Sequence, residues 1–277
     1  MQKPDPRYDE AAKRLALTAE RKSGNQMDLF LPVDEWSDVQ RGIPNGFLRS
    51  AIFSVAQRAK PEQLTRAEIA SVEGIEIRYT GAKLNQDHLT LWGNLVHVVR
   101  TEKLGNRCET TTYKLLKMQN RSDTGSTREA LYKQLAELQA TAVEIKQGRY
   151  TYSGSFIVEA FRDEEINRLI VILNPRIIEL FAPNHYTRVS WLIRLELKTQ
   201  VARWLHGFYS SHREPYDYKL TTIQQLCGSV AKDMSNFKTH SLIPALNEIA
   251  EASEKHGQAF NFEIVNGKLK VNRKRHL

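Results

Sequence analysis

A chain of 277 residues, 41% hydrophobic and 26% charged, has the composition of a globular protein with room for one large domain or two smaller ones. No run reaches the roughly 18 apolar residues of a membrane span and no apolar signal-peptide core opens the chain, so membrane and secreted classes are set aside and the cytoplasm is expected. Forty basic residues against 32 acidic ones, a net charge of +8, favour a polyanionic partner, while Cys108 and Cys227 lack the paired spacing of a zinc site or disulfide framework.

Residues 1–42 read as a flexible N-terminal arm. It holds Pro4, Pro6, a short helix over Ala11–Ala19 and the breaker Ser23-Gly24-Asn25. Gln26-Met27-Asp28-Leu29-Phe30 then places three large apolar side chains in an otherwise polar stretch. A globular pattern begins at Ile43, and Leu91, Leu95, Val98 and Val99 recur on one helical face within Leu89–Thr101. A β-prone stretch, Cys108–Thr111, leads to a small helix over Thr112–Gln119 and a turn at Arg121–Gly125. Ser126-Thr127-Arg128-Glu129 reads as a capping box, in which a hydroxyl and a carboxylate each satisfy a free backbone N–H. The helix it opens buries Leu131, Leu135, Leu138 and Ala142 and stops at Gly148. Two β-rich stretches follow, Tyr150–Phe161 and Leu169–Leu173, joined by a polar turn. Helix, short strand, short helix, turn, longer helix and hairpin is the order of a winged helix, in which the second helix of the helix-turn-helix pair can enter a major groove.

The plan recurs. Ser190 is placed to cap a helix carrying Leu197, Val201, Leu205 and Phe208 on one face, and the connector Ser210–Tyr216 follows. A short helix from Thr222 ends at Cys227-Gly228, where glycine can supply the left-handed residue that closes a helix. A longer helical stretch covers Lys232–Lys255 with Leu242, Leu246 and Ile249 inward, and Pro244 within it predicts a kink or break near His240. Phe260–Ile264 and Lys268–Val271 flank Asn266-Gly267, a strong signal for a tight hairpin. The expected fold is therefore α+β, with two tandem winged-helix domains, 43–187 and 188–277, behind the arm. The first hairpin turns through acidic Asp163-Glu164-Glu165, whereas the second carries Lys268, Lys270, Arg273, Lys274 and Arg275, which assigns the firmer DNA contact to the C-terminal domain.

Several stretches resemble the TrfA family of plasmid replication initiators. They are Ile43-Pro44-Asn45-Gly46-Phe47 with Arg49-Ser50-Ala51-Ile52-Phe53, Tyr79-Thr80-Gly81, and Leu180-Phe181-Ala182-Pro183-Asn184-His185-Tyr186-Thr187. More specific are Ser210-Ser211-His212-Arg213-Glu214-Pro215-Tyr216 and Leu226-Cys227-Gly228-Ser229, which fall at the second connector and turn. The resemblance implies two winged-helix domains that bind repeated double-stranded sites (iterons), open an AT-rich region, meet single-stranded origin DNA, and recruit a host initiator and the replicative helicase. It also implies both monomer and homodimer, the monomer active in initiation. On the family's pattern Lys232, Ser235, Asn236, Lys238 and His240 lie near DNA, the lysines on phosphates and Asn236 on an adenine edge. Arg128, Tyr132 and Lys133 are the parallel candidates in the first domain. Gln26, Met27, Asp28, Leu29 and Phe30 resemble the Gln-Leu-(Ser or Asp)-Leu-Phe peptide that binds the polymerase sliding clamp, with Met27 in place of the usual Leu.

An enzyme is not expected. A nicking tyrosine needs a metal, usually on a His-x-His pair, and the eight histidines contain none; no GxxxxGK[ST] loop is present either, so no metal or cofactor is expected. His212, Arg213 and Glu214 stand beside Pro215, which favours a structured connector over a catalytic site. The rival reading is a winged-helix transcriptional regulator that binds an operator and leaves its duplex closed.

Overall fold

Two groups of buried apolar side chains organise the computed structural model, which describes residues 36–273 apart from 57–61, 103–105, 149, 164 and 183. The first gathers around Phe47, Phe53, Trp92 and Phe156, and the second around Trp204, Phe208, Phe237 and Leu246. Helices and strands are mixed throughout, in keeping with the expected α+β class. Among the described residues no helix is long and apolar enough to cross a membrane.

In the first unit β1 (Gln40–Pro44) pairs antiparallel with β11 (Tyr186–Ser190), and α1 (Asn45–Leu48) follows β1 directly. β2 (Phe53–Ser54) runs parallel to β5 (Leu84–Asn85). β3 (Gln63–Glu68), β4 (Ile75–Ala82), β7 (Ala142–Gln147) and β8 (Tyr150–Gly154) form a four-stranded sheet in the order 3-4-7-8. β4 shows its cause in period-two alternation: Ile75, Ile77 and Tyr79 are buried while Glu76 and Arg78 face water. The long α2 (Gln86–Glu102) is apolar on several sides, with Leu89, Leu91, Trp92, Leu95 and Val98 all buried, so it lies within the core. β6 (Arg107–Thr110), α3 (Thr112–Met118), α4 (Gly125–Gln139), β9 (Ile157–Asp163) and β10 (Arg168–Leu173) follow, the strands ordered 6-10-9.

Three expectations change here. The helix start moves forward: Thr124, not Ser126, is the N-cap of α4, its Oγ1 accepting from Thr127 N at 3.3 Å while Thr127 Oγ1 accepts from Thr124 N at 3.0 Å. A threonine hydroxyl thus fills the role expected of Glu129. The helix also ends at Gln139, and Ala142–Gln147 is a strand in which Ala142 faces Thr80 and Ile145 faces Ile77. Val143 and Ile145 alternate inward there, and a neighbour more than 60 residues away supplies the ladder. Consequently Tyr150–Gly154 belongs with β7, and the hairpin proper is β9–β10. The packed chain also starts before Ile43. Trp36 is 3% exposed, stacks on Phe181 with centroids 6.3 Å apart, and donates its indole N–H to His97 Nδ1 at 3.1 Å. The expected boundary at residue 187 falls inside β11.

The second unit is built from α5 (Trp191–Glu196), α6 (Gln200–Ser210), β12 (Tyr218–Lys219), α7 (Leu220–Leu226), α8 (Met234–Asn236), α9 (Ile243–Lys255), β13 (Phe260–Val265) and β14 (Lys268–Arg273). The single helix expected from Ser190 is two, because Leu197 adopts an extended conformation and Thr199 caps α6 by accepting from Ala202 N at 3.2 Å. The interruption expected near His240 is present, as a change of helix type and not as a break in the chain's helical path. A π-helical stretch, Phe237–Leu242, joins α8 to α9, and Pro244 sits in the first turn of α9, where a missing N–H is tolerated.

α3 and α7, one in each unit, have the same length and the same ending. α3 closes with Arg121 N donating to Leu116 O at 3.0 Å around left-handed Asn120, and α7 closes with Ser229 N donating to Gln224 O at 3.1 Å around left-handed Gly228. Glycine is required at the second, because a Cβ there would stand 2.9 Å from Ser54 Cβ. The two units are tied as well as adjacent: Trp204 Nε1 donates to Ser50 O at 3.0 Å, Arg49 Nε to Ser211 Oγ at 2.9 Å, and Val55 N to Cys227 O at 2.9 Å.

Candidate nucleic-acid interface

The exposed side of the stretch from Lys232 to Leu242 follows from its N-cap and its stripe. Asp233 caps α8, its carboxylate accepting from Asn236 N at 2.7 Å, and Phe237 and Leu242 bury the inward stripe. Lys232, Ser235, Asn236, Thr239 and His240 are all exposed. Their spacing of three, one, three and one places them on one face of the helical path. Lys238 is half-buried at its flank.

The hairpin presents the second basic surface. Asn266 and Gly267 both have positive φ, 50° and 72°, as a tight two-residue turn requires. In β14 Leu269 and Val271 point into the core, so Lys268 and Lys270 point out by pleat alternation. Lys219 pairs with Lys268 across β12 and β14 and is also exposed, adding a third cation that two strand residues gave sequence reasoning no pattern to find. Arg273, expected on a phosphate, also has contacts within the fold. Its Nη2 donates to the carbonyl oxygens of Ser210 at 3.0 Å and His212 at 2.7 Å, so it fastens β14 to the connector. Lys274 and Arg275 lie outside the described residues.

His212 completes that fastening. Burial pushes its pKa down to about 4, so the imidazole is neutral at neutral pH. Nδ1–H donates to Phe208 O at 2.7 Å, which leaves Nε2 to accept from the Tyr218 hydroxyl at 3.2 Å.

In the first unit the three candidates are largely committed to neighbours. Arg128 forms a two-pronged ion pair with Asp123, at 2.6 and 2.8 Å, which raises the pKa of the guanidinium and holds that of the carboxyl below its usual range. Tyr132 shares a hydrogen bond with Thr112 Oγ1 at 3.0 Å and lies under the Arg162 guanidinium, 4.1 Å from the ring centre. Lys133 is 3.9 Å from Glu137. Arg128, Tyr132, Arg162 and Arg168 line a surface hollow of about 450 Å³ between α4 and the β9–β10 hairpin. Glu109 holds Arg168 at 2.6 Å, so part of this surface's charge is compensated. Gln26, Met27, Asp28, Leu29 and Phe30 lie outside the described residues.

The chain is similar to known proteins in sequence and in fold. A family model described as TrfA protein matches residues 7–267. The plasmid replication initiator protein TrfA of Escherichia coli is 31% identical over 229 residues, which are 79% of this chain and 59% of that protein. Among solved structures, selenomethionine crystals of domains 2 and 3 of RctB superpose with a TM-score of 0.56 at 13% identity, covering 83% of this chain and 96% of the other. A second RctB structure of the same domains gives 0.51 at 14% identity, covering 80% and 93%. At these identities the likeness to RctB is one of fold.

Proposed function

Because the chain belongs to the TrfA family of plasmid replication initiators, we propose that it starts plasmid replication by binding iteron repeats at an origin as two tandem winged-helix units. The chain spans about three-fifths of the length of its curated relative, and the reading concerns the part it shares. The observation that carries the proposal is the exposed face Lys232, Ser235, Asn236, Thr239 and His240, in the same unit as three outward lysines on a hairpin. That division suits DNA: lysines hold phosphates of any sequence, while a helix in the major groove reads base edges. Action is by binding in the cytoplasm, without cofactor; opening of an AT-rich region and recruitment of a host initiator and helicase belong to the same proposal. Footprinting on the plasmid's own origin with a strand-opening probe tests it. Repeated protected sites beside melted DNA are expected, whereas one protected operator on a closed duplex would indicate a transcriptional regulator.

Asn236→Ala should narrow the gap between cognate and unrelated sites by about 1–3 kcal/mol while leaving unrelated-site affinity nearly unchanged, measured by competition binding. Equal losses on all sites would make Asn236 a positioning residue. The segment Gln26–Phe30 is proposed to bind the polymerase sliding clamp, as a short apolar anchor can. Leu29→Ala with Phe30→Ala should abolish co-purification with the clamp and leave Tm unchanged; a large fall in Tm would instead assign both side chains to the fold.

A further inference from the structure

Where the two units meet, helices from both enclose a hollow of about 330 Å³. Asp87 and Thr90 reach it from α2, Arg121 from the turn after α3, Gln134 from α4, Arg194 from α5 and Arg203 from α6. Arg194 is 1% exposed. Its Nη2 donates to Gln86 O at 2.9 Å and Gln86 Oε1 at 3.1 Å, its Nε to Thr90 Oγ1 at 3.2 Å, and its Nη1 to Arg203 O at 3.2 Å. Every one of those acceptors is neutral.

A full charge is therefore buried with hydrogen bonds but without a touching carboxylate, an arrangement that costs free energy until a counter-charge arrives. Burial and the nearby Arg203 lower the Arg194 pKa to about 9, which still leaves it charged at neutral pH. Asp87 acts on the group only without contact, raising its pKa against burial, because it forms an ion pair with Arg203 and accepts from Gln200 Nε2 at 2.9 Å. Across the hollow, the Arg121 guanidinium has no hydrogen bond or ion pair among the described residues. Gln134 Oε1 is buried without a hydrogen-bond partner. Three guanidiniums against one carboxylate leave the lining two positive charges in excess.

We propose that this hollow binds a small free oxyanion of the phosphate class, which joins α2 and α4 of the first unit to α5 and α6 of the second. The Arg121 fork matches the geometry of phosphate oxygens, Arg203 Nη2 and the one N–H that Arg194 has not donated can add to it, and one dianion offsets the excess charge. The anion acts as a removable fastener between the units. Its site is separate from the lysine hairpin, so its test needs no DNA.

The probe is inorganic phosphate, titrated calorimetrically into the full chain and followed by thermal unfolding against chloride of equal ionic strength. One phosphate per chain is expected, with a Tm rise of roughly 3 °C at about ten times its Kd. Arg121→Gln, on the rim, should keep the Tm in chloride and lose the rise, while Lys268→Ala with Lys270→Ala should keep both. The proposal is overturned if chloride gives the same rise, if Arg121→Gln retains it, or if the lysine variant is the one that abolishes it.

Discussion

Replacing Lys219, Lys268 and Lys270 together by Ala is expected to weaken DNA binding about 10²-fold at 0.1 M salt and to lower the slope of log K against log salt by about 2.7, roughly 0.9 for each lost phosphate contact. The loss should be nearly equal on cognate and unrelated duplexes, because phosphates carry no sequence information. All three side chains are exposed, and in β14 it is the alternate residues Leu269 and Val271 that are buried, so the substitutions leave the core intact. An unchanged slope in salt titrations would remove the hairpin from the interface. Arg273 is left out of this set on structural grounds: its hydrogen bonds to Ser210 and His212 make it a fastener of the fold.

Phe47→Ala is expected to destabilise the protein by about 3–5 kcal/mol and to lower Tm by roughly 8–15 °C. Phe47 is fully buried, and its ring lies 5.0 Å from Trp92, 5.4 Å from Phe53 and 5.4 Å from Phe156, in edge-to-face contacts. Those neighbours come from α2, β2 and the loop before β9, so the cavity opens where three separate segments converge. Denaturant unfolding measures the effect, and a loss below about 1 kcal/mol would mean that the cluster collapses around the gap.

The elements legible in the sequence share a local cause. Asn266-Gly267 announces its hairpin because few other residue pairs accept two positive φ values in succession. Gly228 announces a helix end for the same reason, and the register of Leu131, Leu135 and Leu138 follows from one turn of helix. The face of Lys232, Ser235, Asn236 and His240 follows from the family's pattern, and the burial of Phe237 and Leu242 leaves those four exposed. Even the error at Ser126 was small, because Thr124 and Thr127 offer the same hydroxyl chemistry two residues earlier.

What the sequence by itself determined is thus the mixed class, the turns, the helix faces and the basic hairpin, all set by contacts within a few residues. Tertiary structure decided the rest. Ala142–Gln147 is a strand because β4 lies beside it, Trp36 is core because His97 and Phe181 receive it, and Arg273 is a fastener because two carbonyls from the connector reach it. Arg194 is the clearest case. A lone arginine in Trp191–Glu196 looks like an ordinary surface charge, and only the closure of two units around it turns it into a buried cation. The physical reason is common to all four: a side chain's partners across tens of residues fix its energy, and no local pattern encodes which partners arrive.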